Sequence, residues 1–280
     1  MTQTMIDDAA LKARHRAMWA LGDYTAVATE VIADLGPRLV AAVGVRPGER
    51  LLDVAAGAGN VALPAARAGA RVTASDLTPE LLERGRVVAT NEGLDIAWET
   101  ADAEALPYGD DSFEVTTSCV GVMFAPHHQP AADELLRVTR AGGRIGLISW
   151  TPTGFIGQMF ATMKPYAPPP PAGASPAPLW GEESHVRELW GDRVRDLRAR
   201  RERLPISHFR SPEEFRDYFK INYGPTIAVY RSLADQPERQ AALDRDLLEL
   251  ARGAATGRDE GMIMEWEYLL VTALRLPQDG

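Results

Sequence analysis

Residues 51–63 read LLDVAAGAGNVAL, and this stretch decides the fold. A short apolar run, an acid, small residues and two spaced glycines are typical of a strand, a tight turn and the start of a helix, an arrangement that cradles a nucleotide. Gly57, Gly59 and Ala62 also occupy the three small positions of the dinucleotide fingerprint G-x-G-x-x-G/A. The stretch alone therefore leaves open which nucleotide is bound.

Strand-like and helix-like segments alternate along the rest of the chain. Apolar or alternating runs bounded by turn residues predict strands over 51–54, 70–76, 95–100, 113–119, 144–150, 193–206 and 264–275. One helix is expected to begin with Thr78 as N-cap and Pro79 at its first position, and another to run from residue 129 to the glycine pair at 142–143. This alternation predicts an α/β fold with a doubly wound, mostly parallel sheet that helices cover on both faces.

The 280 residues are interpreted as a single domain with two insertions. Residues 1–45 look helical and form an N-terminal cover, and residues 46–151 form the cofactor-binding core. Residues 152–179 contain a proline-rich run that excludes regular hydrogen-bonded structure, and residues 206–260 read as helical. We expect both insertions to cover the active site at the ligand edge of the sheet; the alternative is that they only extend the core.

Composition narrows the classes of partner and location. The formal net charge is −9 and the pI is near 5.2, which argues against a nucleic-acid or anionic-membrane partner because such proteins collect basic patches. The single cysteine, Cys119, excludes an intramolecular disulfide and a zinc-binding cysteine cluster, and no metal site is predicted. The chain has no secretory signal pattern and no run of about 18 apolar residues, so we expect a cytoplasmic protein that does not span a membrane.

Three acids at predicted strand ends indicate which nucleotide cofactor the turn binds. Asp53 lies four residues before the first glycine of the turn, where it would repel a pyrophosphate but favour the ammonium and sulfonium groups of S-adenosylmethionine. Asp76 ends the second strand and can accept hydrogen bonds from both ribose hydroxyls, as it also would from NAD. Asp102 follows the third strand and can bind an adenine amino group, while Ala103 supports the ring. These positions favour S-adenosylmethionine over a nicotinamide cofactor.

The motifs DVAAGAGNVAL, ASDLTPELL, ADAEALPYGDDSFEV and ELLRVTRAGGRIGLISW, in this order, resemble those of class I S-adenosylmethionine-dependent methyltransferases. The chain is most similar to the ubiquinone/menaquinone C-methyltransferase type of small-molecule enzyme, over about residues 45–151. The resemblance implies a seven-stranded sheet whose last strand is antiparallel. It also implies that the cofactor contacts a set of residues from the strand ends and the N-terminal cover. They are Trp19, Tyr24, Asp53, Ala55, Gly57, Gly59, Asp76, Leu77, Asp102, Ala103 and Ser118.

One departure concerns the substrate. The fourth strand ends in SCVGVMF, not in the Asn/Asp-Pro-Pro-aromatic signature of amino-directed DNA methyltransferases. This difference further weakens a nucleic-acid substrate.

The reaction expected from this resemblance is an in-line displacement at the sulfonium methyl, in which positioning and exclusion of water do most of the work. A base is needed only if the nucleophile loses a proton, and His127 and His128, which follow the fourth strand, are the candidates. His208, Tyr166 and Tyr223 are weaker candidates in the insertions.

Apolar and aromatic side chains of the two insertions can line a substrate pocket or can form helix core, and the sequence does not decide between the two. They are Phe155, Met159, Phe160, Met163, Phe215, Tyr218, Phe219 and Tyr223. The leading hypothesis is methylation of a small aromatic or apolar molecule on carbon, nitrogen or oxygen, in secondary metabolism or quinone-like chemistry. The alternatives are a nicotinamide-dependent oxidoreductase and a non-catalytic S-adenosylmethionine-binding protein. The oligomeric state cannot be read from the sequence.

Overall fold

A single mixed sheet organises the computed structural model, which describes residues 8–170, 173–256 and 262–277. Within these residues the sheet has seven strands in the order β3-β2-β1-β4-β5-β7-β6. β1 to β5 pair in parallel, whereas β7 is antiparallel to both of its neighbours, β5 and β6. The strands are β1 Arg50–Val54, β2 Arg71–Asp76, β3 Ile96–Thr100, β4 Phe113–Cys119, β5 Thr139–Trp150, β6 Val194–Ile206 and β7 Met264–Arg275. The predicted fold class and the predicted antiparallel last strand are confirmed.

Helices connect and cover these strands. The α-helices are α1 Asp8–Trp19, α2 Tyr24–Ala26, α3 Leu35–Val43, α4 Ala62–Arg67, α5 Pro79–Glu92, α6 His128–Val138, α7 Phe155–Met163, α8 Glu183–Trp190, α9 Pro212–Asn222, α10 Gly224–Ser232 and α11 Pro237–Ala254. Short 3-10 turns cover Val122–Phe124, Ala177–Gly181 and Gly191–Arg193, and one π-helical turn covers Val27–Val31. Among the helices that the structure describes, none is both long enough and apolar enough to cross a membrane.

The centre of the sheet is buried on both faces. Leu51 and Leu52 are neighbours in β1 and point to opposite faces, yet both are 0% exposed. On the β1–β3 side, α4 and α5 pack against the strands, and α3 and α6 pack against β4 and β5. An apolar run such as LLDV therefore forms a strand rather than a surface segment, because helices are available to bury both of its faces.

One predicted boundary is wrong. The helix expected to reach the glycine pair ends at Val138, and the following residues already belong to β5. The pairing of β4 with β5 shifts there, from Phe113 opposite Thr139 to Val115 opposite Arg144. Gly142 has a φ of +71°, which suits the extra residues of a bulge. The glycines thus form an irregularity in a strand instead of ending a helix.

The two segments predicted as insertions carry four of the described helices. α7 follows β5, and α9, α10 and α11 lie between β6 and β7. The predicted cap of α9 is present, since the Ser211 hydroxyl accepts a hydrogen bond from the Glu214 amide at 3.2 Å. α10 packs against α1 at the point where Gly224 meets the Met18 carbonyl, so the second segment lies next to the N-terminal helices.

Candidate functional site

A pocket opens at the carboxyl ends of the parallel strands, where open α/β sheets bind their ligands. Its walls come from α1, α2 and the π-helical turn on one side and from the segments that follow β1, β2, β3 and β4 on the other. About 870 Å³ of space is free of protein atoms there, counted out to the open mouth. Of the predicted cofactor-binding residues, those in the wall are Trp19, Tyr24, Ala55, Gly57, Asp76, Leu77, Asp102 and Ala103.

The backbone is strained at two adjacent points of the wall. Ala55, directly after β1, has a φ of +53°, and Val120, directly after β4, has a φ of +52°. A positive φ is costly for any residue with a β-carbon and most of all for a β-branched valine. Gly121 allows the two segments to meet, because a β-carbon there would lie 2.4 Å from the Ala55 carbonyl oxygen. Strained backbone of this kind is concentrated at functional sites.

Gly57 and Asp76 form the floor of the pocket. The Gly57 and Thr78 amides donate hydrogen bonds to the two oxygens of the Asp76 carboxylate at 2.9 and 2.8 Å. Burial raises the pKa of Asp76, although these amide hydrogen bonds oppose the rise. Gly57 has a φ of +57°, and a β-carbon on it would enter the gap in front of the Tyr24 ring, 3.7 Å from the nearest ring carbon. The glycine thus keeps open the space between the turn and the aromatic cover.

Asp53 does not lie where the sequence suggested. It is 1% exposed and lies beneath the turn, where it accepts hydrogen bonds from the Ala62 amide at 3.0 Å and the Thr117 hydroxyl at 3.2 Å. Burial raises its pKa to about 7. The structure therefore corrects the expectation that Asp53 faces a ligand ammonium: its carboxylate joins β1, β4 and the start of α4.

Two other predicted residues also lie behind the wall. Gly59 has a φ of +91°, and a β-carbon on it would lie 2.7 Å from the ring of Trp98, so this glycine serves the packing of the turn against β3 and not the pocket. The Ser118 hydroxyl donates to the Val54 carbonyl at 2.7 Å and accepts from the Val122 amide at 2.8 Å. The Ser118 side chain is thus turned toward β1, whereas the next residue, Cys119, is in the wall.

A compact ionic cluster occupies the end of the pocket at β3. The Lys12 ammonium of α1 lies 2.6 Å from Asp102, 2.9 Å from Glu104 and 2.9 Å from Asp8. His127 joins the cluster through its Nδ1, 3.0 Å from Glu104. Asp8, Glu104 and His127 are spaced so that they could hold a metal ion, but the Lys12 cation already pairs with the two carboxylates.

The two predicted catalytic histidines are not in the pocket wall. His127 is the N-cap residue before α6 and contacts Glu104 through both its backbone amide and its ring. His128 is 2% exposed, and its Nδ1 lies 2.9 Å from Nε2 of His185. Burial and the neighbouring His185 lower the pKa of His128 to about 4. His128 is buried away from the pocket, so the expectation that it acts as the base is corrected. The position of His127 outside the wall gives no support to the same expectation for that residue.

A third histidine, His15, does line the pocket and was missed from the sequence. Burial lowers its pKa below the ordinary 6.5, although the Glu104 charge and the Phe124 carbonyl oppose this. Lys12, His15 and Trp19 follow one another at intervals of three and four, so they share one face of α1. This spacing was the available signal, but nothing local to it shows that the face meets the sheet edge.

Five aromatic rings, which we name the aromatic cluster, stand at the opposite end of the pocket. Trp19 lies 4.7 Å from Phe124 and 5.3 Å from Tyr24, between ring centroids, and these three rings are in the wall. Phe160 of α7 lies 6.0 Å from Phe124, and Tyr223 lies 5.8 Å from Trp19. Each predicted insertion thus contributes one ring behind the wall.

Three other aromatic residues of the insertions belong to the core. Phe155, Phe215 and Phe219 are at most 4% exposed and pack around Trp266 of β7. The two remaining base candidates lie elsewhere as well: the Tyr166 hydroxyl donates to Asp246, and His208 packs edge-on against Tyr218.

Known proteins resemble this chain in sequence and in fold. Residues 52–147 match the family model described as "Methyltransferase domain". An uncharacterized protein of Mycobacterium tuberculosis (strain ATCC 25618 / H37Rv) is 53% identical over 267 residues, which cover 95% of this chain and 96% of the relative. A ubiquinone/menaquinone biosynthesis C-methyltransferase of Ruegeria sp. (strain TM1040) is 40% identical over 110 residues, 38% of this chain and 44% of that enzyme. Among solved structures, the YcgJ protein from Bacillus subtilis has a TM-score of 0.62 at 17% identity, over 88% of this chain and 99% of that one, and shares the fold.

Proposed function

Because the chain belongs to the class I S-adenosylmethionine-dependent methyltransferases, we propose that it methylates a small aromatic or apolar molecule. S-adenosylmethionine is the cofactor. The observation that supports the acceptor class is the aromatic cluster, in which Trp19, Tyr24 and Phe124 form one end of the pocket wall. Flat or apolar molecules are the ligands that such rings bind best.

The residues of the pocket suit the cofactor. The Asp76 carboxylate, fixed by two backbone amides, would accept hydrogen bonds from the ribose hydroxyls, and Asp102 would accept one from the adenine amino group. The segment from Ala55 to Gly57, kept free of side-chain bulk, would hold the methionine portion. When bound, S-adenosylmethionine supplies a methyl group on a sulfonium whose leaving group is a neutral thioether. A nicotinamide-dependent oxidoreductase is not favoured.

The chain's own contribution would be to bind, orient and shield the acceptor. The aromatic cluster supplies an apolar, water-poor surface, and positioning of two reactants can lower a barrier by about 7–11 kcal/mol. The His15 imidazole, with its pKa lowered by burial, is neutral near pH 7 and able to accept a proton from an acceptor that must lose one. The proposal covers an acceptor that is methylated on carbon, nitrogen or oxygen.

Titration with S-adenosylhomocysteine by calorimetry tests the cofactor site first. We expect one-to-one binding to the wild-type protein, strong loss of binding in Asp76→Asn, and unchanged binding in Asp95→Asn, an exposed acid just before β3. Thermal melting without ligand shows whether each variant is folded.

A screen of methyl transfer from labelled S-adenosylmethionine then tests the acceptor class. Phenols, indoles, quinols and aromatic amines should include acceptors, and small charged aliphatic molecules should not. Binding without transfer to any acceptor would support a non-catalytic binding protein, and no binding by the wild type would refute the site. The extents of the N-terminal cover, the core and the two insertions remain predictions, as do a cytoplasmic location and the absence of a nucleic-acid partner.

A further inference from the structure

A lysine from the covering helix reaches into the acidic end of the pocket. The Lys12 side chain is only 17% exposed, although lysine is rarely buried unless it is paired. Its ammonium contacts Asp102, Glu104 and Asp8, whose side chains are 25%, 4% and 54% exposed. Burial alone would lower the pKa of Lys12, but the hydrogen bonds to the three carboxylates outweigh it and raise the pKa. Lys12 is therefore charged and fixed in place.

The Lys12 ammonium and the Glu104 amide hold the Asp102 carboxylate from two sides. One oxygen of its carboxylate accepts the Glu104 amide at 2.9 Å, and the other lies 2.6 Å from the Lys12 ammonium. Each carboxylate oxygen can accept two hydrogen bonds, so both keep an acceptor position for a ligand. Since Asp102 is in the pocket wall, its carboxylate is held in one orientation while it remains able to bind a donor.

The same contact also attaches α1 to the sheet edge. Leu11 is the buried residue of this helix, and its pocket-facing row is Lys12, His15 and Trp19. Without the Lys12 charge, the Asp102 and Glu104 carboxylates would repel each other and lose the cation that holds them together. The position of α1 over the pocket and the orientation of Asp102 thus depend on one ammonium group.

We propose that Lys12 is a positioning residue for adenine: it holds the Asp102 carboxylate toward the exocyclic amino group and couples this recognition to the placement of α1 over the pocket. This inference rests on the proposed cofactor site, and it adds the residue that makes the acid selective. Adenine should be distinguished from unsubstituted purine, which lacks the amino group and offers the carboxylate no N–H donor at that edge.

Two ligands and matched variants test the proposal by calorimetry. The ligands are S-adenosylhomocysteine and its 6-deamino analogue, in which a hydrogen replaces the exocyclic amino group. For Lys12→Met we expect the affinity for S-adenosylhomocysteine to fall about tenfold to a hundredfold, as for the loss of a hydrogen bond to a charged group. The weaker affinity for the 6-deamino analogue should change less than about twofold, since that ligand presents no N–H group to the carboxylate. Lys12→Arg should restore most of the preference, and Arg14→Met, an exposed position on the same helix, should leave it unchanged.

The outcomes separate this proposal from the proposed function. Equal losses for both ligands in Lys12→Met would show that Lys12 only holds the helix, and would overturn the proposal alone. An unchanged preference for the adenine ligand would overturn it as well. If Lys12→Met does not fold, Lys12→Gln, which keeps a hydrogen-bond donor but no charge, gives the same comparison. Failure of the wild-type protein to bind S-adenosylhomocysteine would overturn the cofactor site itself.

Discussion

Replacing Asp53 with asparagine should stabilise the protein at neutral pH and leave ligand binding almost unchanged. Asparagine has the same shape, and its carbonyl oxygen can accept the hydrogen bond that the Ala62 amide now donates to Asp53. Its amide group can donate to the Thr117 hydroxyl, which can in turn donate to the Leu52 carbonyl, 3.4 Å away. Both of these hydrogen bonds therefore have a replacement, the one with Thr117 in the reversed direction, and the buried charge is removed.

The expected gain follows from the pKa of Asp53, which burial raises from 3.8 to about 7. In the unfolded chain the group ionises near 3.8, so between pH 4 and 7 the folded protein binds more protons than the unfolded one. The contribution of Asp53 to the free energy of unfolding thus decreases as the pH rises through this window. Above pH 7 this contribution stays constant. Each pKa unit is worth about 1.4 kcal/mol, so the Asp53→Asn variant should exceed the wild type by at most about 4 kcal/mol at pH 8.

Urea unfolding followed by tryptophan fluorescence at pH 4, 6 and 8 measures this difference. The gap between Asp53→Asn and the wild type should widen from pH 4 to pH 8, whereas the gap for the exposed Asp95→Asn control should not. A constant gap, or a variant less stable than the wild type at pH 8, would refute the reasoning on buried charge. The same variant tests the position of Asp53: a loss of S-adenosylhomocysteine affinity of about tenfold or more would indicate a direct contact with the ligand, as for a hydrogen bond to a charged group.

Three further predictions concern other parts of the site. Gly59→Ala should lower the free energy of unfolding by about 1–3 kcal/mol, because the new β-carbon overpacks against Trp98. Adding Trp98→Leu to this variant should recover part of the loss. If urea unfolding shows that the losses of the two single variants simply add up in the double variant, this reasoning is contradicted. Burial raises the pKa of the Cys119 thiol, so it should react with Ellman's reagent at pH 8 more slowly than a free thiol. Bound S-adenosylhomocysteine should slow this reaction further, because Cys119 is in the pocket wall. A rate that the bound ligand does not change would argue against this position. The His15 imidazole should titrate below 6.5 in an NMR titration assigned with His15→Gln, and a value above 6.5 would contradict its burial at the pocket.

The sheet and part of the pocket could be predicted because both depend on local patterns. Short apolar runs bounded by turn residues placed all seven strands within a few residues, apart from the start of β5. In a parallel sheet the carboxyl ends of neighbouring strands meet at one edge. Acids at the carboxyl ends of two neighbouring strands, such as Asp76 and Asp102, therefore line the same pocket.

Positions that depend on the direction of one side chain could not be predicted in this way. Asp53 is inside its strand, and the turn at Ala55 directs the chain over it, so the carboxylate ends beneath the turn. Gly59 has the spacing of a ligand-binding glycine, but the large Trp98 ring on β3 occupies the space beside it. His15 could not be assigned because its helix precedes the sheet, and only tertiary packing brings it to the edge.

The proposed acceptor end of the pocket is encoded mostly outside residues 52–147, the segment that matches the family model. Of the aromatic cluster, Phe124 lies within residues 52–147, whereas Trp19, Phe160 and Tyr223 lie outside. Trp19 and Phe160 are 141 positions apart, so a match over 110 residues to a quinone C-methyltransferase cannot include both. That likeness therefore carries the cofactor site but no argument for a quinone acceptor. The mycobacterial relative, which matches over 95% of this chain, is the better guide, and an acceptor found for either protein should be tested first on the other.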